Sequence, residues 1–312
     1  MSVWESSPGV FLSREARDAV IRQRIASNNF EVSWLPVTTS AKGHTGTFMV
    51  MGDALKIDRV RINVSATLEQ QIADKLGASL LTPKLADLRF MQRKITLPPY
   101  PRPIVLDTKS MVDSSAVIDK ALTGKDTTGA IVATVGKDWV ISNQLAKHPG
   151  KAENYGWSFV GDSFGGQKWE SAVTPFLRVI QGQGWAHDPS HVDYSQVCVL
   201  VKRECTVDGV TRDIRDVMQD PELSWLVSHD GRMSITRQPG VPEETPNQGP
   251  ANISGSDPFL MARRVRGSDK RVGLIAGAIG GALVGGTVGG IPGAVVGLVV
   301  GGLLGQELQS SL

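Results

Sequence analysis

The alternation of apolar and polar positions lays out most of the chain as short strands and capped helices. Residues 13–25 (SREARDAVIRQRI) predict a charged amphipathic helix, with Ser13 as N-cap and Ala16, Val20, Ile21 and Ile25 on its apolar side. Residues 30–37 and 47–51 are β-rich runs separated by a turn-like segment at 40–44, which predicts a strand or two. Residues 57–64 (IDRVRINV) alternate with period two, the pattern of a half-buried strand. Ser65 or Thr67 caps a helix carrying Leu68, Ile72, Ala73 and Leu76, which Gly77 closes. A second helix begins at Thr82-Pro83 and continues through Leu85, Leu88 and Met91. Residues 97–103 (LPPYPRP) hold four prolines in seven positions and predict an extended strap. Residues 129–142 predict two strands or one bulged strand, and residues 154–159 another strand. After a Gly-rich loop, a polar and aromatic segment at 187–195 leads into the apolar run 197–201. A tight turn is expected at 207–210, and residues 214–226 read as one helix broken by Asp220-Pro221.

The pattern changes at the end of the chain. Residues 238–256 are rich in Pro, Gly, Asn and Glu with little to bury, the composition of a linker. A basic cluster follows at Arg263, Arg264, Arg266, Lys270 and Arg271, suited to anionic lipid headgroups. Residues 272–304 then carry no charge, and glycine recurs at every fourth position: Gly273, Gly277, Gly281, Gly285, Gly289, Gly293, Gly297, Gly301 and Gly305. On a helix this spacing makes one face free of side chains, the small-xxx-small rule of helix packing in lipid. One helix of roughly 33 residues would be about 50 Å long, well over the roughly 30 Å hydrocarbon core. The turn signal Gly289-Gly290-Ile291-Pro292-Gly293 therefore predicts a tight hairpin, with a long kinked helix as the alternative. The expected organisation is an α/β or α+β domain at 1–237, a mixed sheet with flanking helices. A linker and basic juxtamembrane segment follow at 238–271, then a glycine-zipper, transmembrane-like helical hairpin at 272–306.

Composition narrows the classes. With 33 basic and 31 acidic residues the net charge is +2, too near balance for nucleic acid to be the main partner. The two cysteines, Cys198 and Cys205, have no zinc-ligand spacing and read as buried thiols. The first residues show no basic region followed by an apolar core, so no signal peptide is expected. Insertion from the cytoplasm, or delivery to the cell envelope by other means, is the corresponding expectation. The glycine face predicts self-association, with membrane lipid as a partner; packing against protein is the alternative.

Three constellations are candidates for chemistry. His187, His191 and Asp193 could supply two imidazoles and a carboxylate to a divalent metal such as zinc, leaving a position for water, although Pro189 opposes the helical turn this needs. Ser195 could act as nucleophile with His187 or His148 as base and Asp193 as orienter, but no Gly-x-Ser-x-Gly elbow surrounds it. Lys137 and Asp138 beside Tyr155, Trp157 and Tyr194 could line a groove for a sugar or peptide. The ordered segments IADKLGASLLTPKLAD, GKDWVISNQL, YGWSF, HVDYSQVCVLV and DPELSWLVSHDG resemble a family of uncharacterised bacterial proteins. That family shows an IAD…KxxD helix pair, a KDVV-type strand, a YGWH element and a DYSHG segment. The resemblance covers roughly residues 14–237 and implies a shared fold. Here Ser158 and Gln196 stand where that family has histidine, so any chemistry resting on those histidines is lost. Two functions follow: a membrane-inserting, self-associating envelope protein with a hydrolase-like domain directed at peptidoglycan or peptide, or a non-enzymatic structural or pore protein of a virion or injection machine.

Overall fold

The computed structural model describes residues 2–247 except 104, 134, 161–162, 165–166, 169–170 and 175–176. The basic cluster and the glycine-zipper hairpin, Gly273 to Gly305 included, lie outside the described residues. The chain divides into a unit at Met1–Gly255 and another at Ser256–Leu312. The described residues all belong to the first.

The described fold is mixed, with helices packed on two mainly antiparallel sheets. Strands β1 (Trp34–Ala41) and β2 (His44–Met51) form a hairpin, so the expected β-rich runs and their turn are both present. With β3 (Ala78–Leu80), β8 (Leu200–Val207) and β9 (Val210–Asp213) they make a five-stranded sheet in which β8 pairs with β2, β3 and β9. The second sheet runs β4-β5-β7-β6, from β4 (Lys137–Val140), β5 (Glu153–Phe159), β6 (Ser171–Thr174) and β7 (Leu177–Gly184). Among the described residues, parallel pairing is confined to residues 95–96 with 132–133 and to single bridges at Leu81–Val140 and Lys137–Gln196.

The helices follow their caps. In α1 (Arg14–Ala26) the Ser13 hydroxyl accepts from the Ala16 amide, and Ile21 and Ile25 are buried. Ser65 caps α2 (Ala66–Lys75), and Gly77 closes it at a φ of +59°. Thr82 caps α3 (Pro83–Met91), whose Pro83 occupies the first turn, where its missing N–H costs nothing. A helix that the sequence pattern did not announce, α4 (Thr108–Leu122), is capped by Asp107 and buries Met111, Ser115, Ile118 and Leu122. The helix expected at 214–226 is α5 (Ile214–Gln219) followed by a 3-10 turn at Leu223–Leu226, split at Asp220-Pro221.

Two expectations are corrected. Residues 57–64 do not form one strand. Asp58 and Arg59 adopt left-handed conformations, at φ of +49° and +64°, and turn the segment into a small hairpin, Lys56–Ile57 with Val60–Arg61. Arg61 explains the turn: its guanidinium, 1% exposed, pairs with both oxygens of Asp53 at 2.9 and 2.6 Å and with Asp119 of α4 at 2.6 Å. The period-two pattern had counted this arginine as a solvent-facing residue. Residues 238–247 are not a free linker either, because they pack along α2. Gln238, 1% exposed, donates its amide N–H to Gln70, and the Glu244 amide N–H donates to Asp74. The Asn247 amide N–H donates to the Lys75 carbonyl, and its side chain to the Ile25 carbonyl. Polar composition had suggested a linker, yet α2 offers buried carboxamide and carboxylate groups that need partners.

Candidate functional site

Of the sequence-nominated residues, Lys137, Asp193, Tyr194 and Ser195 meet at one turn. Asp193, Ser195 and Gln196 close on one another: the Ser195 amide N–H donates to the Asp193 carboxylate at 2.7 Å, and the Ser195 hydroxyl donates to the same oxygen. The Asp193 amide N–H donates to the Gln196 side chain at 2.7 Å. This is an Asx-type turn, in which a short polar side chain does the bonding that a ladder would otherwise do. Lys137 holds it in place through backbone, its N–H donating to the Ser195 carbonyl at 2.6 Å and its C=O accepting from Val197. The turn in turn holds the strap, since Tyr194 accepts through its hydroxyl from the Arg102 amide N–H and donates to the Arg102 carbonyl at 2.8 Å.

This geometry redistributes the expected chemistry. The Ser195 hydroxyl is directed to a carboxylate instead of an imidazole, and Ser195 is 3% exposed, so the nucleophile–base pair is not assembled. His187 and His191 do meet, but face to face, with ring centroids 3.8 Å apart and planes within 6°. Lone pairs of stacked imidazoles lie in parallel planes and cannot both point at one ion, so these rings would have to turn before they shared a metal. His191 Nε2 is 3.8 Å from Asp193, beyond a hydrogen bond. Among the described residues no group of three or more His, Cys, Asp or Glu side chains could hold a metal. His187 is held below its ordinary pKa by burial, then by His191 and Lys137. His148, the alternative base, stacks on Trp185 at 4.4 Å.

Tyr155 is not a groove residue. It is 1% exposed and its hydroxyl donates to Asp87 at 2.8 Å. His229 Nε2 lies 3.3 Å from the other Asp87 oxygen, so α3, β5 and the loop after the 3-10 turn converge on one carboxylate. Burial raises the Asp87 pKa, opposed by His229 and Tyr155; burial and the neighbouring Asp87 raise that of Tyr155. Lys84, one turn earlier on α3, donates to the Trp225 carbonyl, and burial pushes its pKa down to about 8. Asp138, opposite Tyr155 across β4 and β5, is pushed up to about 7 by burial, with Arg89 working the other way. Lys84 and Asp87 are the KxxD of the family resemblance and His229 lies in its last segment, but the 142-residue separation of Asp87 and His229 gives no sign in the sequence that they and Tyr155, 68 residues from Asp87, converge.

Where Trp157 and Tyr194 do line open space, they do so together. A small cleft lies between the strap, α4 and the turn, with Tyr100, Arg102, Ser114, Trp157, Tyr194 and Ser195 among its walls. The Trp157 and Tyr194 rings meet edge to face at 6.2 Å.

No family model, curated protein or solved structure matches this chain.

Proposed function

We propose that this chain is a membrane-inserting, self-associating protein of the bacterial cell envelope, and that its folded N-terminal unit docks on cell-wall material without hydrolysing it. The observation that carries the membrane role is the unbroken four-residue glycine register through the charge-free run at 272–304. Docking in place of hydrolysis is supported by the mutual engagement of the nominated catalytic groups, in which Ser195 bonds Asp193 and His187 stacks on His191. Liposome flotation and dye release test it, using the full chain, the Gly281→Leu/Gly285→Leu variant and a chain ending at residue 255, the boundary of the folded unit. Binding and release by the full chain, lost in both variants, is expected. Equal release by the double-leucine variant would refute the zipper.

A hydrolytic role is favoured by one observation, the half-exposed His229 held by the buried Asp87, the arrangement of a carboxylate-oriented base. Release of soluble fragments from purified peptidoglycan by the full chain, lost on His229→Ala, would establish it in place of docking.

A further inference from the structure

The cleft between strap, α4 and turn carries an inference that rests on the docking role and names what would be docked. Three features point to a ligand. Trp157, a wall of the cleft, is 5% exposed, and its buried indole N–H has no acceptor among the described residues. A buried donor left unpaired is destabilising, so an acceptor is expected to reach it. Trp157 also adopts a φ of +58° beside Gly156 at +104°, where β5 slips register against β7. A bulky residue in that conformation is strained by about 1–3 kcal/mol, a cost characteristic of ligand clamps.

The third feature is charge. Arg102 lines the cleft, and its one ion pair among the described residues is the 3.6 Å contact with Asp113, a carboxylate that Lys109 holds more closely at 2.6 Å. Arg102 is the looser of the two, its other contact being the Ser114 hydroxyl at 3.4 Å. The cleft holds about 20 Å³, room for about one water, so it excludes a whole sugar ring and admits only the tip of a small polar group, such as one carboxylate oxygen.

We propose that this cleft binds a small carboxylate, which accepts the Trp157 indole N–H and pairs with Arg102. Two cell-wall sources carry that group: the C-terminus of a peptide stem, or the lactyl ether of an acidic amino sugar. The experiment is a titration of the full chain, labelled with 5-fluorotryptophan, followed by fluorine NMR. Trp157→Phe assigns the Trp157 signal, and calorimetry supplies affinities. The probes are N-acetyl-D-alanyl-D-alanine, N-acetylmuramic acid and the uncharged N-acetylglucosamine.

Expected is a shift of the Trp157 signal with at least one acidic probe and none with N-acetylglucosamine, the responding probe identifying the source. Arg102→Gln, which keeps the backbone bonds to Tyr194, should weaken that probe about tenfold. The proposal is overturned if neither acid moves the signal, if the uncharged sugar moves it equally, or if Arg102→Gln leaves affinity unchanged. A negative titration alongside positive flotation removes the carboxylate site and leaves the membrane role standing.

Discussion

Asp138 should make this protein less stable as pH rises from acid to neutral, and removing its charge should flatten that trend. Burial lifts its pKa from 3.8 to about 7, so the folded state holds a proton that the unfolded chain has released across that window. Where the folded state binds more protons than the unfolded one, stability falls with rising pH. The loss begins near the unfolded value, is complete above about 7, and at about 1.4 kcal/mol per pH unit amounts to about 4 kcal/mol. Glu69, 0% exposed, is raised in the same sense by burial and by Asp138 itself, which steepens the slope. Asp138→Asn keeps the shape and removes the charge. Arg89 loses a favourable neighbour, but its guanidinium still donates to the Met51, Gly52 and Val132 carbonyls. The expected outcome is a stability close to the parent at pH 4.5 and a gain of about 2–4 kcal/mol at pH 8. Urea melts across that range measure it, and a gain of this size moves the midpoint by roughly 1 M for an m-value of about 3 kcal/mol/M. A variant destabilised equally at both pH values would refute the reasoning and make Asp138 a structural ion.

Two further outcomes follow from the packing. Arg61→Ala removes the buried guanidinium from Asp53, which keeps Lys56 at 3.0 Å, and should cost about 2–4 kcal/mol in a chemical melt; because Asp119 is 52% exposed, Asp119→Ala alone should cost under about 1 kcal/mol. At Gly136 an added Cβ would sit 2.5 Å from the Ser195 carbonyl oxygen and 2.8 Å from Val197, so Gly136→Ala should cost about 1–3 kcal/mol and weaken the cleft, whereas unchanged thermal stability would show that the turn yields freely.

What the sequence disclosed was local. Ser13, Ser65 and Thr82 announce three helices because a cap and its target amide lie three residues apart. The tight turn at Asp208-Gly209 was legible for the same reason, both residues having positive φ. Helix α4 was missed because Ser110, Ser114 and Ser115 dilute an apolar stripe reduced to Met111, Ile118 and Leu122. Strand β7 (LRVIQGQG) was absorbed into a glycine-rich loop, since Gly182 and Gly184 mask its alternation. The candidate site divided along the same line. The polar turn at 193–196 bonds within itself, so its residues were visible, but the roles assigned to them presumed free groups. The Asp87 junction depends on contacts across most of the folded unit, and only tertiary structure brings it together.

The packing of residues 238–247 has a mechanical consequence. Tension applied to the chain beyond residue 247 reaches Asn247 first, then Glu244, then Gln238, each tied separately to Lys75, Asp74 and Gln70 along α2. Such ties peel in succession instead of sharing the load. Ten residues would pay out about 35 Å of chain before strain reached either sheet. Chain could thus be released from this end, up to that contour length, while the folded unit kept its shape.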